Sequence, residues 1–177
     1  MRKKVLILFS VICIFVIVLF AIFNFVIYPT KYKGYVLYSA ERYGLDKALV
    51  YAVIKAESDF DESAVSRSGA IGLMQILPST GKWIADELGR DDFVVDELYD
   101  PKTNVEFGCF YLDYLKQKFS DINAVICAYN AGETVVRGWL DESGKLNESN
   151  IAYSETKKYL KRVRGFLNVY KIHEICV

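Results

Sequence analysis

The 177-residue chain has one histidine, four cysteines and no surplus of either charge, with 22 basic residues against 22 acidic ones. Each scarcity excludes something. His173 is the only imidazole, and Cys13, Cys109, Cys127 and Cys176 form no C-x-x-C pair or other metal-ligand spacing. No zinc or other metal site is expected, and no cofactor. Cys13 lies in an apolar run, which leaves an odd number elsewhere, so no disulfide framework can be drawn. The cysteines are expected as small buried hydrophobes in helices. Without a basic face, no nucleic-acid partner is expected. Internal repeats and low-complexity tracts are missing, and no run alternates well enough for a major strand.

What the chain does have is an apolar start. From Val5 to Ile27 only Ser10 and Asn24 are polar. At about 1.5 Å per residue this run spans a hydrocarbon core of roughly 30 Å. A cleaved signal peptide is the alternative, but the run exceeds the usual apolar length and no small-x-small cleavage site follows. An uncleaved single-pass anchor over residues 5–27 is the expectation. Arg2, Lys3 and Lys4 on one side and Lys31 and Lys33 on the other give a slight bias toward a cytoplasmic N-terminus. Residues 1–30 are thus read as a cytoplasmic tip and anchor, and 31–177 as an exported domain. That domain carries 19 basic and 22 acidic residues.

The rest reads as helix nearly throughout. A short helix over Tyr35–Tyr43 is closed by Gly44, and Asp46 caps a second that runs to Glu57. Ser58 to Leu77 has no helical period and contains two glycines, the mark of a binding or catalytic loop with room for one small hairpin. Pro78 opens a helix toward Gly89, and Asp100-Pro101 opens another with Val105, Leu112, Leu115 and Phe119 as its buried stripe. Further helices are expected from Ile122 to about Asn130, from near Glu133, and at the end, with Tyr159, Val163, Phe166 and Tyr170 on one face. The expected class is mostly α.

One residue breaks the pattern. Val50, Val53 and Ile54 mark a helix face whose next position is Glu57. A carboxyl on an apolar stripe loses solvation and keeps its proton toward neutrality, the state a general acid needs. From the helical wheel alone a second account carries more weight: the helix ends at Ala56 and Glu57 is solvated. The loop beyond it, Gly69-Ala70-Ile71-Gly72-Leu73-Met74-Gln75, joins flexible backbone, apolar contact and an amide, a surface suited to N-acetylated sugars. Ala128-Tyr129-Asn130-Ala131-Gly132 adds an aromatic ring and another amide at a helix end, where a tyrosine more often serves packing than sugar binding.

Together these stretches resemble the lytic transglycosylase family of the soluble type, with its lysozyme-like fold. That family's pattern runs Glu-Ser, S-x-x-G-A-x-G-L-M-Q-[IL]-M-P, A-Y-N-A-G, then E-T-[RK]-x-Y. Here the blocks are Glu57-Ser58, Ser66 to Pro78, Ala128 to Gly132, and Glu155-Thr156-Lys157-Lys158-Tyr159, in family order across about residues 33–170. The resemblance implies a lysozyme-like helical domain with Glu57 as the single catalytic acid/base and Tyr159 beside it, holding or polarising the carboxyl. It also implies that Ser58, Ser66, Gln75, Leu77, Tyr129 and Asn130 line a glycan groove. Leu77 replaces a usual methionine, and Asp61-Glu62 replaces a usual Asn-Pro, which removes a stiffening ring from the start of the loop.

The activity implied is cleavage of peptidoglycan between N-acetylmuramic acid and N-acetylglucosamine, closing a 1,6-anhydro ring. A goose-type lysozyme hydrolase and a non-catalytic glycan-binding scaffold are the alternatives. The expected location is the cell membrane with the domain on the wall side. The expected partners are glycan strands, the bilayer, and a cell-wall or secretion assembly.

Overall fold

The computed structural model describes residues 2–22 and 28–176, and for residues 2, 21–22 and 173–176 the backbone alone. The chain divides into two compact units, Met1–Lys31 and Tyr32–Val177. The first contains α1, Arg2–Ile22, which is long and apolar enough to cross a membrane. Its large apolar side chains from Val5 to Phe20 are exposed. Residues 23–27, the end of the expected 5–27 span, lie outside the described residues.

The second unit holds seven α-helices among the described residues: α2 (Lys33–Arg42), α3 (Lys47–Glu57), α4 (Pro78–Glu87), α5 (Pro101–Lys118), α6 (Ile122–Ala131), α7 (Glu133–Arg137) and α8 (Ser154–Cys176). Aspartates set three of the starts by accepting from otherwise orphaned backbone amides. Asp46 takes the Ala48 amide, Asp100 the Thr103 amide ahead of Pro101, and Asp121 the Asn123 amide. Such caps stabilise a helix by about 1 kcal/mol each. No strand occurs among the described residues; single antiparallel bridges join Val65 to Ile71 and Ile71 to Ile76 in the glycine-containing loop.

The core forms around α3. Every residue from Ala48 to Ile54 is buried, and so is Ala56, which makes α3 a central helix covered on all sides rather than along one stripe. It packs along α8, where Tyr159, Val163 and Tyr170 are buried and Phe166 is half-buried. Tyr51 of α3 stacks on Tyr170 at 5.3 Å between ring centres. α5 packs on α2 and α6, and its expected stripe of Val105, Leu112, Leu115 and Phe119 is buried. Cys109 and Cys127 are free and buried among these helices.

Candidate active site

Glu57 is the last residue of α3, and Ser58 caps the end. α3 carries it out of the core only at its tip, so the carboxyl is half-buried. Burial pushes its pKa up from 4.5 to about 7. Two neighbours on α8 oppose the shift: the Tyr159 hydroxyl and, more weakly, the Arg162 guanidinium. Glu57 is therefore protonated to a large extent at neutral pH, and it becomes a usable base once its proton has gone.

Tyr159 is 2% exposed, and its hydroxyl is buried without a hydrogen bond of full geometry. It stands near enough to Glu57 for each to perturb the other, with burial as the main reason its own pKa is raised. The conformation holds an approach rather than a bond. Catalytic hydrogen bonds are often long before substrate binds. The Arg162 guanidinium lies 5.8 Å above the Tyr159 ring and completes this side.

On the other side lies the loop from Ser58 to Leu77, and it is pinned from four directions. The Ser58 hydroxyl donates to the Leu73 carbonyl at 2.8 Å, tying the loop to the end of α3. The Gln75 amide donates to the carbonyls of Ala64 (3.0 Å) and Gly72 (2.9 Å), while its own backbone adopts a φ of 50°. From α5, the Asn104 side chain accepts from the Met74 amide at 2.7 Å and donates to the carbonyls of Ile71 and Leu98. From α6, the Tyr129 hydroxyl donates to the Met74 carbonyl at 2.8 Å.

Two glycines permit this closeness. At Gly72, φ is 77° and a Cβ would lie 2.9 Å from Asn104 Cγ, nearer still to its Nδ2. At Gly108 a Cβ would lie 2.8 Å from that of Met74, so only a bare backbone lets the methionine lie against α5.

The expected site residues thus divide. Glu57, Tyr159 and Tyr129 come together, and the Tyr129 pKa is raised chiefly by burial and next by the Glu57 charge. The Tyr129 hydroxyl is committed to the loop, which leaves its half-buried ring as the part able to meet a ligand. Ser58 acts as a brace. The Ser66 hydroxyl accepts from the Ala70 amide at 3.0 Å and pairs with Ser68, closing the turn around Gly69. Leu77 is exposed at the start of α4. Asn130 is exposed, and its side-chain oxygen accepts from buried Thr156, linking α6 to α8.

The start of the loop is stiffer than Asp61-Glu62 suggested. Asp61 accepts from the Ser63 amide and hydroxyl at 2.9 and 2.7 Å, and Glu62 accepts from the Tyr32 hydroxyl at 2.7 Å. Asp59 pairs with Lys55 and is exposed. Among the described residues, no carboxylate figures in the influences on Glu57.

Sequence reasoning missed Asn104, Gly108 and Arg162. The first two had a signal: after Asp100-Pro101, an asparagine and a glycine four apart sit inside a helix beside its buried stripe, the same kind of anomaly as Glu57. Arg162 had none beyond lying one turn from Tyr159.

A half-buried acid at the end of a central helix, braced by a loop without strands and packed on a last helix, fits the lysozyme-like helical class. Residues 34–152 match the model of the Transglycosylase SLT domain, and the chain belongs to that family. The match stops before α8, so Tyr159 and Arg162 join the site on geometry. The membrane-bound lytic murein transglycosylase E of Buchnera aphidicola subsp. Acyrthosiphon pisum is 36% identical over 131 residues, covering 68% of this chain and 58% of that protein. The membrane-bound lytic murein transglycosylase C of Shigella sonnei is 35% identical over 137 residues, covering 71% of this chain and 38% of that protein. The 70-kDa soluble lytic transglycosylase of Escherichia coli superposes with a TM-score of 0.76 at 28% identity, over 83% of this chain and 25% of that one. The chain spans 35% and 38% of two curated C-type relatives.

Proposed function

We propose that the chain is a membrane-anchored lytic transglycosylase that cleaves the β-1,4 bond between N-acetylmuramic acid and N-acetylglucosamine in peptidoglycan. The observation that carries this is Glu57: a lone carboxyl, raised to about 7 by burial, with a tyrosine hydroxyl facing it. A two-carboxylate glycosidase would set a second acid across the scissile bond. Here the nearby acids are engaged elsewhere, Asp59 with Lys55 and Asp61 with Ser63. One group must therefore do both proton transfers.

Protonated Glu57 donates to the glycosidic oxygen as the C1–O bond breaks, and the muramoyl N-acetyl oxygen supports the developing charge at C1. Ionised Glu57 then accepts the proton of the same sugar's C6 hydroxyl, whose oxygen bonds to C1 and closes the 1,6-anhydro ring. No water enters. Tyr159 steadies the carboxylate between the two transfers, while the pinned loop presents Gln75 and Leu77 to the strand, with Tyr129 and Asn130 opposite. Residues 5–27 serve as the anchor and 31–177 as the catalytic domain on the wall side, beside glycan strands and within a cell-wall or secretion assembly.

Digestion of purified sacculi by the full chain in detergent, with products weighed by mass spectrometry, tests the reading. Anhydro ends are expected, one water lighter than hydrolysis products. Reducing ends as the dominant product would make the protein a hydrolase, and glycan bound without cleavage would make it a scaffold.

A further inference from the structure

α8 carries a second anomaly, on a side that the acid does not use. Lys157, Lys161 and Arg164 follow one another at helical spacing and share a face turned away from Tyr159. They border a cleft of about 710 Å³ between α8 and the turn Glu148–Asn150. Ile151 and Leu160, 3% and 2% exposed, close its floor. The rim is built rather than loose. Asn147 accepts from the Ser149 amide at 3.1 Å, and Asp121 accepts from the Leu146 amide at 2.9 Å. Glu148 pairs with Arg164 at 2.8 Å and ties the turn to α8.

Gly165 lines the same cleft, in the interior of a 23-residue helix. A glycine there weakens the helix relative to alanine. Neither backbone nor packing requires it. Its φ lies outside the left-handed region, and an added Cβ would meet nothing within 4 Å. The space above this bare backbone suits a group that the chain itself does not supply. The charge is unmatched as well. The lining holds three cations against Glu148 alone, and among the described residues Lys157 and Lys161 pair with no carboxylate.

These features select a class of occupant. Surplus positive charge calls for an acid, and the floor calls for an apolar side chain beside it. A phosphate polymer would bring charge but nothing for Ile151 and Leu160, and it would meet Glu148 as a like charge. A peptide offers carboxylates, an apolar side chain and backbone amides that Glu148 can accept from. We propose that this cleft docks an acidic peptide segment of a partner protein. Its carboxylates meet Lys157 and Lys161, an apolar side chain covers the floor, and its main chain runs against Gly165. The assignment rests on the assembly named in the proposed function, gives it a partner of stated chemistry, and is independent of the chemistry at Glu57.

The test uses the full chain in detergent. The probe is a fluorescent, capped hexapeptide, Glu-Leu-Glu-Glu-Leu-Glu, titrated by anisotropy, and poly(glycerol phosphate) of equal charge is the rival ligand. The wild type is expected to bind the peptide. Lys157→Gln combined with Lys161→Gln is expected to weaken it at least about threefold, the scale for two exposed ion pairs. Gly165→Leu fills the open space and is expected to weaken it at least about tenfold. Gly165→Ala is expected to raise the melting temperature by about 2–4 °C while weakening the peptide at least about twofold. A glycine kept for structure alone would not couple a gain in stability to a loss of binding.

Peptide affinity unchanged in the double lysine variant or in Gly165→Leu overturns the docking site, as does failure of the wild type to bind the peptide. Tighter binding of poly(glycerol phosphate) than of the peptide overturns it in favour of a phosphate polymer. A lower melting temperature in Gly165→Ala gives the glycine a packing role and overturns the close approach. Sacculus cleavage by the wild-type chain is scored separately, so docking can fail while the activity stands, and the reverse.

Discussion

Replacing Glu57 by glutamine should make the protein more stable and nearly inert, and pH separates these effects. In the folded chain burial moves the Glu57 pKa from 4.5 to about 7. The unfolded chain gives up this proton near 4.5, while the folded chain keeps it. Below about pH 4.5 the group costs nothing. As pH rises through the window from 4.5 to 7 the unfolded state gains, at about 1.4 kcal/mol per pH unit, and above 7 the loss levels off. The total approaches about 3 kcal/mol, an upper bound because the half-exposed carboxyl keeps some water. That is a large share of a typical stability of about 5–15 kcal/mol.

Glutamine has the same shape and no such loss. Wild type and Glu57→Gln should therefore melt together at pH 4 and diverge toward pH 8, with the variant higher by up to about 6–12 °C at ~2–4 °C per kcal/mol. Turnover should move the other way, down by at least about 10²–10⁴-fold, because an amide cannot pass the proton. Melting of the full chain in detergent at several pH values, with sacculus turnover on the same samples, makes the comparison. A melting gap constant from pH 4 to 9 would refute the buried-acid argument, and turnover within a few-fold of wild type would refute the catalytic role.

Tyr159→Phe removes the hydroxyl that restrains the Glu57 pKa while keeping the ring in place. Since the free enzyme needs protonated Glu57, kcat/KM should fall above about pH 7 in wild type, and in this variant the falling limb should begin at higher pH with lower turnover. An unmoved limb would exclude the contact. Asn104→Ala strands the Met74 amide and the Leu98 carbonyl, while the Ile71 carbonyl keeps the Ile76 amide, so urea unfolding should show a loss of at least about 2 kcal/mol, at ~1–3 kcal/mol per buried unpaired group. A loss under about 1 kcal/mol would mean the loop holds itself. Protease added outside intact cells should digest the domain and spare the N-terminus; a mature form starting near Lys31 would instead identify a cleaved leader.

Local chemistry was legible in the sequence wherever cause and effect lie within one turn. Asp46, Asp100 and Pro101 announced helix starts because a cap acts on amides two or three residues away. Glu57 announced itself by breaking an apolar period. What stayed hidden was the partner of each loop group. Met74 is held by Asn104 and Tyr129, 30 and 55 positions away, and no spacing rule joins such pairs. Hence a segment with no periodicity reads as loose although Gly72, Gln75 and Ser58 lock it. The stripe on α3 also understated its burial, because alanines such as Ala48 and Ala52 fit any face and give no direction.

The two-sided hold on Met74 bears on when the protein becomes active. Its amide and its carbonyl find partners only after α5 and α6 have both docked, so the loop's own bonds leave Met74 unsatisfied until then. Backbone amides bonded in this way exchange with solvent through sub-global opening rather than local fraying. Met74 should therefore exchange as slowly as the helical core, although it lies in a loop. A chain still folding after synthesis would carry its acid without the surface that presents a strand to it. On the proposed function, cleavage would thus wait until α5 and α6 are both in place.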